Sequence, residues 1–255
     1  MFEKTSNNEF TSRSNDEQKN IEYLKKFHLK HVPKYGVDWN VLSLVTLERQ
    51  TLSRILYYDK LYKKIIKVPG VICEFGVQWG GTLAQLIALR GIYEPYNHKR
   101  YIYGFDTFEG FVNTSKKFDG KELSDGDYSV YSGYEKELEK ILNIHESNSP
   151  ISHIKKFKLI KGDASKTSRT WAKENPHTIV SMAIFDMDIY KPTKDALETI
   201  IPKLTKGSLL VFDQLNHPDF PGEARALTEI LSLNDLKLEQ FHHQPNSAWC
   251  VWGNN

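Results

Sequence analysis

Two carboxylates one residue apart, in Phe185-Asp186-Met187-Asp188-Ile189-Tyr190-Lys191-Pro192-Thr193, follow the apolar run 178–185. That run is long enough for a buried strand, and Pro192 then opens a helical pattern. The end of a strand is where an open α/β sheet puts its ligands. Alternate residues of an extended backbone share a face, so strand geometry continued past Asp186 would aim Asp186 and Asp188 into one cleft. Alternatively both are ordinary loop acids, one of them capping the helix after Pro192.

Three further stretches carry chemistry of their own. Glu74-Phe75-Gly76-Val77-Gln78-Trp79-Gly80-Gly81-Thr82 joins a short apolar run to a helical one. Glycine at Gly76, Gly80 and Gly81 lets the backbone turn and approach a ligand, and a helix opening near Thr82 directs its free N–H groups at the same space. This is a cradle for a small molecule, although glycines of a tight turn alone would look the same. Its spacing is not the G-x-G-x-x-G of a dinucleotide site. Tyr103-Gly104-Phe105-Asp106-Thr107-Phe108-Glu109-Gly110-Phe111 offers Asp106 to a ribose diol, because a carboxylate can accept two hydrogen bonds. Phe108 and Phe111 either wall that pocket or belong to the core. Lys161-Gly162-Asp163-Ala164 is placed to meet the far end of the same ligand, although Asp163 also suits a helix cap. Finally, Asp213-Gln214-Leu215-Asn216-His217 puts an acid after a further strand. His217 is a second candidate base, since its ordinary pKa lies nearer neutrality than that of a carboxylate.

These residues need a sheet to bring them together. Strand patterns at 71–75, 101–105, 157–160, 178–185 and 208–212 alternate with helical patterns at 82–90, 134–145, 168–172, 192–204 and 222–231. Repeated β-α units imply a mostly parallel sheet with helices on both faces. Strands at 236–242 and 248–252, separated by Gln244-Pro245-Asn246-Ser247, imply a C-terminal antiparallel hairpin. The expected fold is a Rossmann-like α/β sheet of seven strands. Acids then stand at the ends of strands one, two, four and five, along one edge. The polar, glycine-containing stretch 113–133 is long for a structureless connection and is expected to cover the substrate as a lid.

Before Pro69 the chain is of a different kind. Residues 1–20 are mostly Ser, Asn, Glu, Asp and Lys and are expected to form a disordered arm. Residues 21–67 read as a helical extension: Leu52, Ile55, Leu56, Leu61 and Ile65 recur at helical spacing among basic residues, and the pattern stops at Val68-Pro69-Gly70. Tyr57 and Tyr58 read as packing residues. The basic amphipathic helix is a candidate docking surface for a second subunit, so a homo-oligomer is expected. Residues 68–255 would form the single catalytic domain.

The 255 residues carry 34 basic and 32 acidic side chains, with no basic block to mark a nucleic-acid surface. The N-terminus lacks the apolar core of a signal peptide, and no apolar stretch approaches the roughly 20 residues of a membrane span. Cys73 and Cys250 lie in strand-like apolar runs, as buried thiols rather than a disulfide. Together these point to a soluble cytoplasmic protein.

The combination of Glu74-x-Gly76-Val77-x-Trp79-Gly80-Gly81, Gly104-Phe105-Asp106-Thr107-Phe108-Glu109-Gly110-Phe111, Asp186-x-Asp188-x-Tyr190-x-Pro192-Thr193 and Phe220-Pro221-Gly222-Glu223, in that order, resembles the macrocin O-methyltransferase family. The likeness covers about residues 65–255. It implies an S-adenosylmethionine-dependent enzyme that methylates a hydroxyl of a sugar or glycosylated small molecule. It further implies that Glu74, Gly76 and Asp106 bind the cofactor, that Asp186 ligates a divalent metal, and that Asp188 is the general base. With the cradle around them, Trp79, Gly80, Gly81, Thr82, Thr107, Phe108, Gly162, Asp163, Ala164 and Asp186 complete the expected cofactor contacts. The family usually has two adjacent acids after the fifth strand, both near the metal. Here they are Asp213 and Gln214, so a Mg²⁺ site would have one negative charge fewer. A nucleotide-dependent oxidoreductase on the same fold, or a binding protein weakened in catalysis by Gln214, are the alternatives.

Overall fold

Four short apolar runs form adjacent parallel strands, and each brings a phenylalanine to the same row. The computed structural model describes Glu3–Lys4, Phe10–Thr11 and residues 13–253. The chain divides into two compact units, Met1–Leu56 and Tyr57–Asn255.

In the second unit the strands are β1 (Val71–Phe75), β2 (Ile102–Asp106), β3 (Phe157–Lys161), β4 (Val180–Phe185), β5 (Leu204–Phe212), β6 (Glu239–Phe241) and β7 (Gln244–Val251). They make one seven-stranded sheet in the order β3-β2-β1-β4-β5-β7-β6. Pairing is parallel from β3 to β5 and antiparallel on both sides of β7. The register sets Phe105 beside Phe75, Phe75 beside Phe185, and Phe185 beside Phe212. Their rings stack with centroids 4.6, 5.3 and 5.2 Å apart. The residues that follow this row are Asp106, Gly76, Asp186 and Asp213.

Seven α-helices among the described residues are nine residues or longer: α1 (Asn15–His31), α2 (Arg49–Ile65), α3 (Gly81–Tyr93), α4 (Tyr134–Ser147), α5 (Ala164–Glu174), α6 (Tyr190–Ile200) and α7 (Gly222–Ile230); a four-residue one spans Trp39–Leu42. One face of the sheet, through Ile72, Met182, Ile184 and Val211, packs against Leu61 and Ile65 of α2, Leu83 and Leu86 of α3, and Leu138 and Leu142 of α4. Tyr57 and Tyr58 are buried in that layer. The phenylalanine face packs against Trp171 of α5, Leu197 of α6 and Leu227 of α7. Cys73 and Cys250 are free and buried, and burial pushes both thiols up, Cys250 to about 11.

Three of the departures from the sequence expectation have a local cause. The hairpin turn is His242–His243, because Phe241 pairs with Gln244 and β7 already begins there. Pro245 is accommodated because it lies beyond the β5 ladder, whose last pair is Phe212 with Ala248. The sixth strand is shorter than 236–242, spanning Glu239–Phe241. Helix α6 starts at Tyr190 rather than at Pro192, since a proline without an N–H is tolerated within the first turn.

In the first unit, α1 occupies residues expected to belong to the arm. Ser14 accepts the N–H of Glu17 while the Glu17 carboxylate accepts that of Ser14, a capping box that fixes the start of the helix. The rest of that arm lies largely outside the described residues. Arg13 pairs with Glu48 at 3.2 Å, and His28 Nδ1 meets Thr46 Oγ1 at 2.7 Å. No helix among the described residues is long and apolar enough to cross a membrane.

Candidate active site

The strand ends put the predicted residues of the cradle on one edge, but the bonds they make are more specific than their spacing indicated. Asp106 is not simply presented to solvent. Its Oδ2 accepts the N–H groups of Val77 (2.6 Å) and Gln78 (2.8 Å), and its Oδ1 accepts that of Phe108 (2.5 Å). It therefore braces the turn between β1 and α3. Gly76 has φ +92°, and a Cβ there would lie 1.8 Å from the carbonyl oxygen of Asp186. That glycine is required by the close approach of the loop after β4. A Cβ on Gly81, by contrast, would meet nothing within 4 Å, so the start of α3 borders open space. Trp79 is partly exposed beside Tyr131 and Tyr134, and Tyr134 OH donates to the Trp79 carbonyl at 3.0 Å. Glu74 and Thr82 are buried, and Thr107 Oγ1 donates to the Gly110 carbonyl. Gly162 N donates to the Asp106 carbonyl, Asp163 caps α5 by accepting from Ser165 N, and Ala164 is buried.

Asp186 remains in the ladder, its N–H donating to Phe75 O at 2.8 Å, but the strand ends one residue earlier. Asp188 is not brought round by continued alternation. It has φ +58°, and Ile189 N donates to Met187 O across it at 2.6 Å. This is a three-residue γ-turn of the positive-φ kind, a strained conformation costing about 1–3 kcal/mol that the surroundings must maintain. The turn leaves Asp188 the more buried of the two acids. Asp188 is only 9 % exposed, whereas Asp186 is half-buried. Burial, then the charges of Asp186 and Asp213, push the Asp188 carboxyl well above the usual carboxylate range.

Glu223 joins this group from the first turn of α7. It is fully buried, and its Oε1 accepts the N–H groups of Met187 (3.0 Å) and Asp188 (3.2 Å) while Oε2 accepts that of Gln214 (3.0 Å). Burial first, then Asp188 and Asp186, raise its carboxyl well above the ordinary value. Asp213 Oδ1 accepts from Ser247 Oγ at 3.2 Å. His217 Nδ1 accepts from Asp219 N at 3.3 Å and its ring meets Phe220 edge-on.

Asp188 Oδ1 and Gln214 Oε1 are buried without a hydrogen-bond partner. Buried acceptors are rarely left so, and carboxylate and amide oxygens are the donor set of a hard divalent cation. Among the described residues no three His, Cys, Asp or Glu side chains stand at coordinating distance of a common point. The acids thus share a field without sharing a ligand position. Asp186, Asp213 and Gln214 carry the oxygen donors that Mg²⁺ takes, and the orphaned Oε1 of Gln214 is the observation that favours a cation there.

The stretch 113–133 has no regular helix or strand, yet it is tied down. Asp119 Oδ1 accepts the N–H of Tyr190 (2.5 Å) and Oδ2 that of Ser115 (2.7 Å). Phe118 stacks on Tyr190 at 4.6 Å, and Arg225 donates to the Lys117 carbonyl. Sequence reasoning passed over Asp119 and Arg225, which lie in no motif. Glu223 did have a signal, the Phe-Pro-Gly-Glu opening of a helix, but no role. Burial outweighs the bonds from Tyr190 and Ser115 and raises the Asp119 carboxyl. Ionising it costs more in the folded state than in the unfolded one, so its contribution to stability is lost as pH rises from about 4, the unfolded value. Asp119→Asn, whose NH2 would face one of the two N–H groups of Tyr190 and Ser115, is therefore expected to melt below wild type near pH 4 and to close that gap towards pH 7. Parallel profiles in thermal melts would refute this.

The model of the macrocin-O-methyltransferase (TylF) family matches residues 2–237. A crystal structure of CalS11, a calicheamicin methyltransferase, superposes with a TM-score of 0.90 at 36 % identity, covering 99 % of this chain and 98 % of that one. The apo structure of CalS11, described as a TDP-rhamnose 3'-O-methyltransferase, gives 0.83 at 36 % identity over 96 % and 97 %. The O-methyltransferase NovP gives 0.59 at 16 % identity over 78 % and 79 %, a likeness of fold. No match was found among curated protein sequences.

Proposed function

Because the chain belongs to the macrocin-O-methyltransferase (TylF) family, and is thus an S-adenosylmethionine-dependent O-methyltransferase, we propose that it methylates a hydroxyl of a sugar or glycosylated small molecule with Asp188 as general base and Mg²⁺ as aid. The observation that carries this reading is the row Asp106, Gly76, Asp186 and Asp213, backed by the two orphaned oxygens of Asp188 and Gln214.

S-adenosylmethionine, when bound, supplies the methyl electrophile. The chain's residues would then do three things. The turn from Gly76 to Thr82, with Asp106, Thr107, Phe108 and the 162–164 turn, would seat the cofactor so that its methyl group lies in line with the acceptor oxygen. Asp186, Asp213 and Gln214 would hold the cation, which when bound makes the hydroxyl more acidic. Asp188 would take the proton. An unperturbed carboxylate, with pKa about 3.9, is a poor match for a sugar hydroxyl, and the burial that raises Asp188 improves the match. His217 is second to it, since its Nδ1 already accepts the Asp219 N–H.

A nucleoside-diphosphate sugar is the first acceptor to try, given what CalS11 is described as methylating. The test is mass spectrometry of the enzyme incubated with S-adenosylmethionine and TDP-rhamnose or related sugars, with Mg²⁺ or with chelator. A singly methylated sugar that disappears on chelation is expected. Absence of cofactor binding by calorimetry, or full turnover in chelator, would overturn the activity or its metal half respectively.

The protein is proposed to work in the cytoplasm, in keeping with its free thiols, and as a homo-oligomer. In the first unit Val37, Trp39, Val41, Leu44 and Val45 are all more than half exposed. Apolar patches of that kind mark association surfaces. Light scattering should report a dimer or larger species, and Val45→Asp should shift it to monomer; a monomeric wild type would refute the assignment.

A further inference from the structure

We infer that Glu223 is a positioning residue that sets the distance between the two acid-bearing loops of the site. This rests on the reading of those acids as the reaction centre. The last ladder bonds of β4 are Asp186 N to Phe75 O on one side and Asp213 N to Phe185 O on the other. Beyond them the loops 187–189 and 214–217 part, and the N–H groups of Met187, Asp188 and Gln214 have no strand to meet. Glu223 takes all of them, two on Oε1 and one on Oε2. Its carboxylate thus adds one rung to the sheet, made by a side chain.

The same helix turn supplies a second constraint. Gly222 lies so close that a Cβ on it would stand 2.4 Å from the Asp188 carbonyl oxygen and 2.5 Å from Tyr190 N. The Asp188 turn, with φ +58°, is therefore held at its N–H by Glu223 and at its carbonyl by the bare backbone of Gly222. The fully buried Glu223 has its oxygens occupied by amides and reaches no reacting atom. Both of its oxygens have to accept. An amide in its place has one acceptor oxygen, and its NH2 would face a backbone N–H on the other side.

The test uses Glu223→Gln and Glu223→Asp, the latter keeping the charge but losing one methylene of reach. Amide hydrogen exchange is followed at Met187, Asp188 and Gln214, with Mn²⁺ binding and S-adenosylmethionine binding measured on the same proteins. In both variants exchange at these three amides should rise at least about tenfold while the β1 and β2 amides hold, and Mn²⁺ should bind about 10–100-fold more weakly. Cofactor affinity should stay within about threefold, since the cradle does not touch Glu223. Unchanged exchange at the three amides in either variant overturns the inference, and so does a rise spread evenly over the sheet, which would mark a merely structural role. If wild type takes no Mn²⁺, the metal half of the proposed function falls, and exchange at the three amides still decides the role of Glu223.

Discussion

Asp188→Asn should lower methyl transfer by about two to three orders of magnitude while leaving S-adenosylmethionine affinity nearly unchanged, the loss expected of a general base. The substitution is unusually clean here. Asparagine tolerates positive φ better than most residues, so the γ-turn across Asp188 survives. The side chain keeps its size in a site that is only 9 % exposed. What it loses is the capacity to accept a proton. It also removes one of the mutually repelling charges of Asp186, Asp188 and Asp213, so the variant should melt no lower than wild type at neutral pH. Steady-state rates with titrated Mg²⁺ separate two roles. A drop in kcat at saturating Mg²⁺ marks the base, whereas a rate restored by more Mg²⁺ would mark a metal ligand and sink the assignment.

The largest effect on stability is expected at the other end of the sheet, from Arg100→Met. Arg100 is 2 % exposed and makes every donor count. Its Nε donates to Glu94 Oε2 at 2.8 Å, Nη1 to the Gly70 carbonyl at 2.6 Å and to Ser181 Oγ at 2.7 Å, and Nη2 to the Ile65 carbonyl at 2.9 Å. It thereby joins the last residue of α2, the turn into β1 and the start of β4. Burial works against an ionised Glu94, and the bonds from Arg100, Asn97 and Tyr62 outweigh it and hold that carboxyl below its usual range. Removing the guanidinium leaves the Glu94 carboxylate buried without its counter-charge, with only the neutral donors Tyr62 and Asn97 on it, a loss of about 3–5 kcal/mol. For a domain of this size that is roughly 6–20 °C in melting temperature. Arg100→Met with Glu94→Gln should recover part of it, because the stranded charge is gone. Equal melting temperatures for wild type and Arg100→Met would show the network to be energetically idle.

The parallel strands were legible in the sequence because residues buried on both faces leave continuous apolar runs, as in 71–75 and 178–185. The acids at their ends were legible because each run stops at a carboxylate or a glycine. What spacing could not carry was the route of the chain after Phe185. Asp186 and Asp188 were expected on one face by extended alternation, and the structure instead turns through a left-handed Asp188, which makes it the more buried of the two. Aspartate is enriched at positive φ, but it occurs far more often elsewhere, so the residue type alone does not announce the turn. The hairpin turn was misplaced for a related reason. Pro245 and Asn246 have turn chemistry, but the two residues that turn are His242 and His243, chosen by the pairing of Phe241 with Gln244. Partners distant in sequence were invisible too: Asp119 reaches Tyr190, and Glu223 reaches Met187. Local patterns report which face a residue takes and leave its long-range hydrogen bonds unstated.

The row of stacked phenylalanines divides the labour of change within this molecule. Phe105, Phe75, Phe185 and Phe212 are all buried, so their strands cannot slip without turning four rings out of the core. Asp106, Gly76, Asp186 and Asp213 are the next residues along and inherit that rigidity. Residues 113–133, in contrast, are held by a few side-chain bonds such as those of Asp119 and Thr114. Drift in that stretch would leave the four strand ends in register, and on the proposal that it covers the substrate it would re-shape the acceptor's surroundings above a floor that does not move.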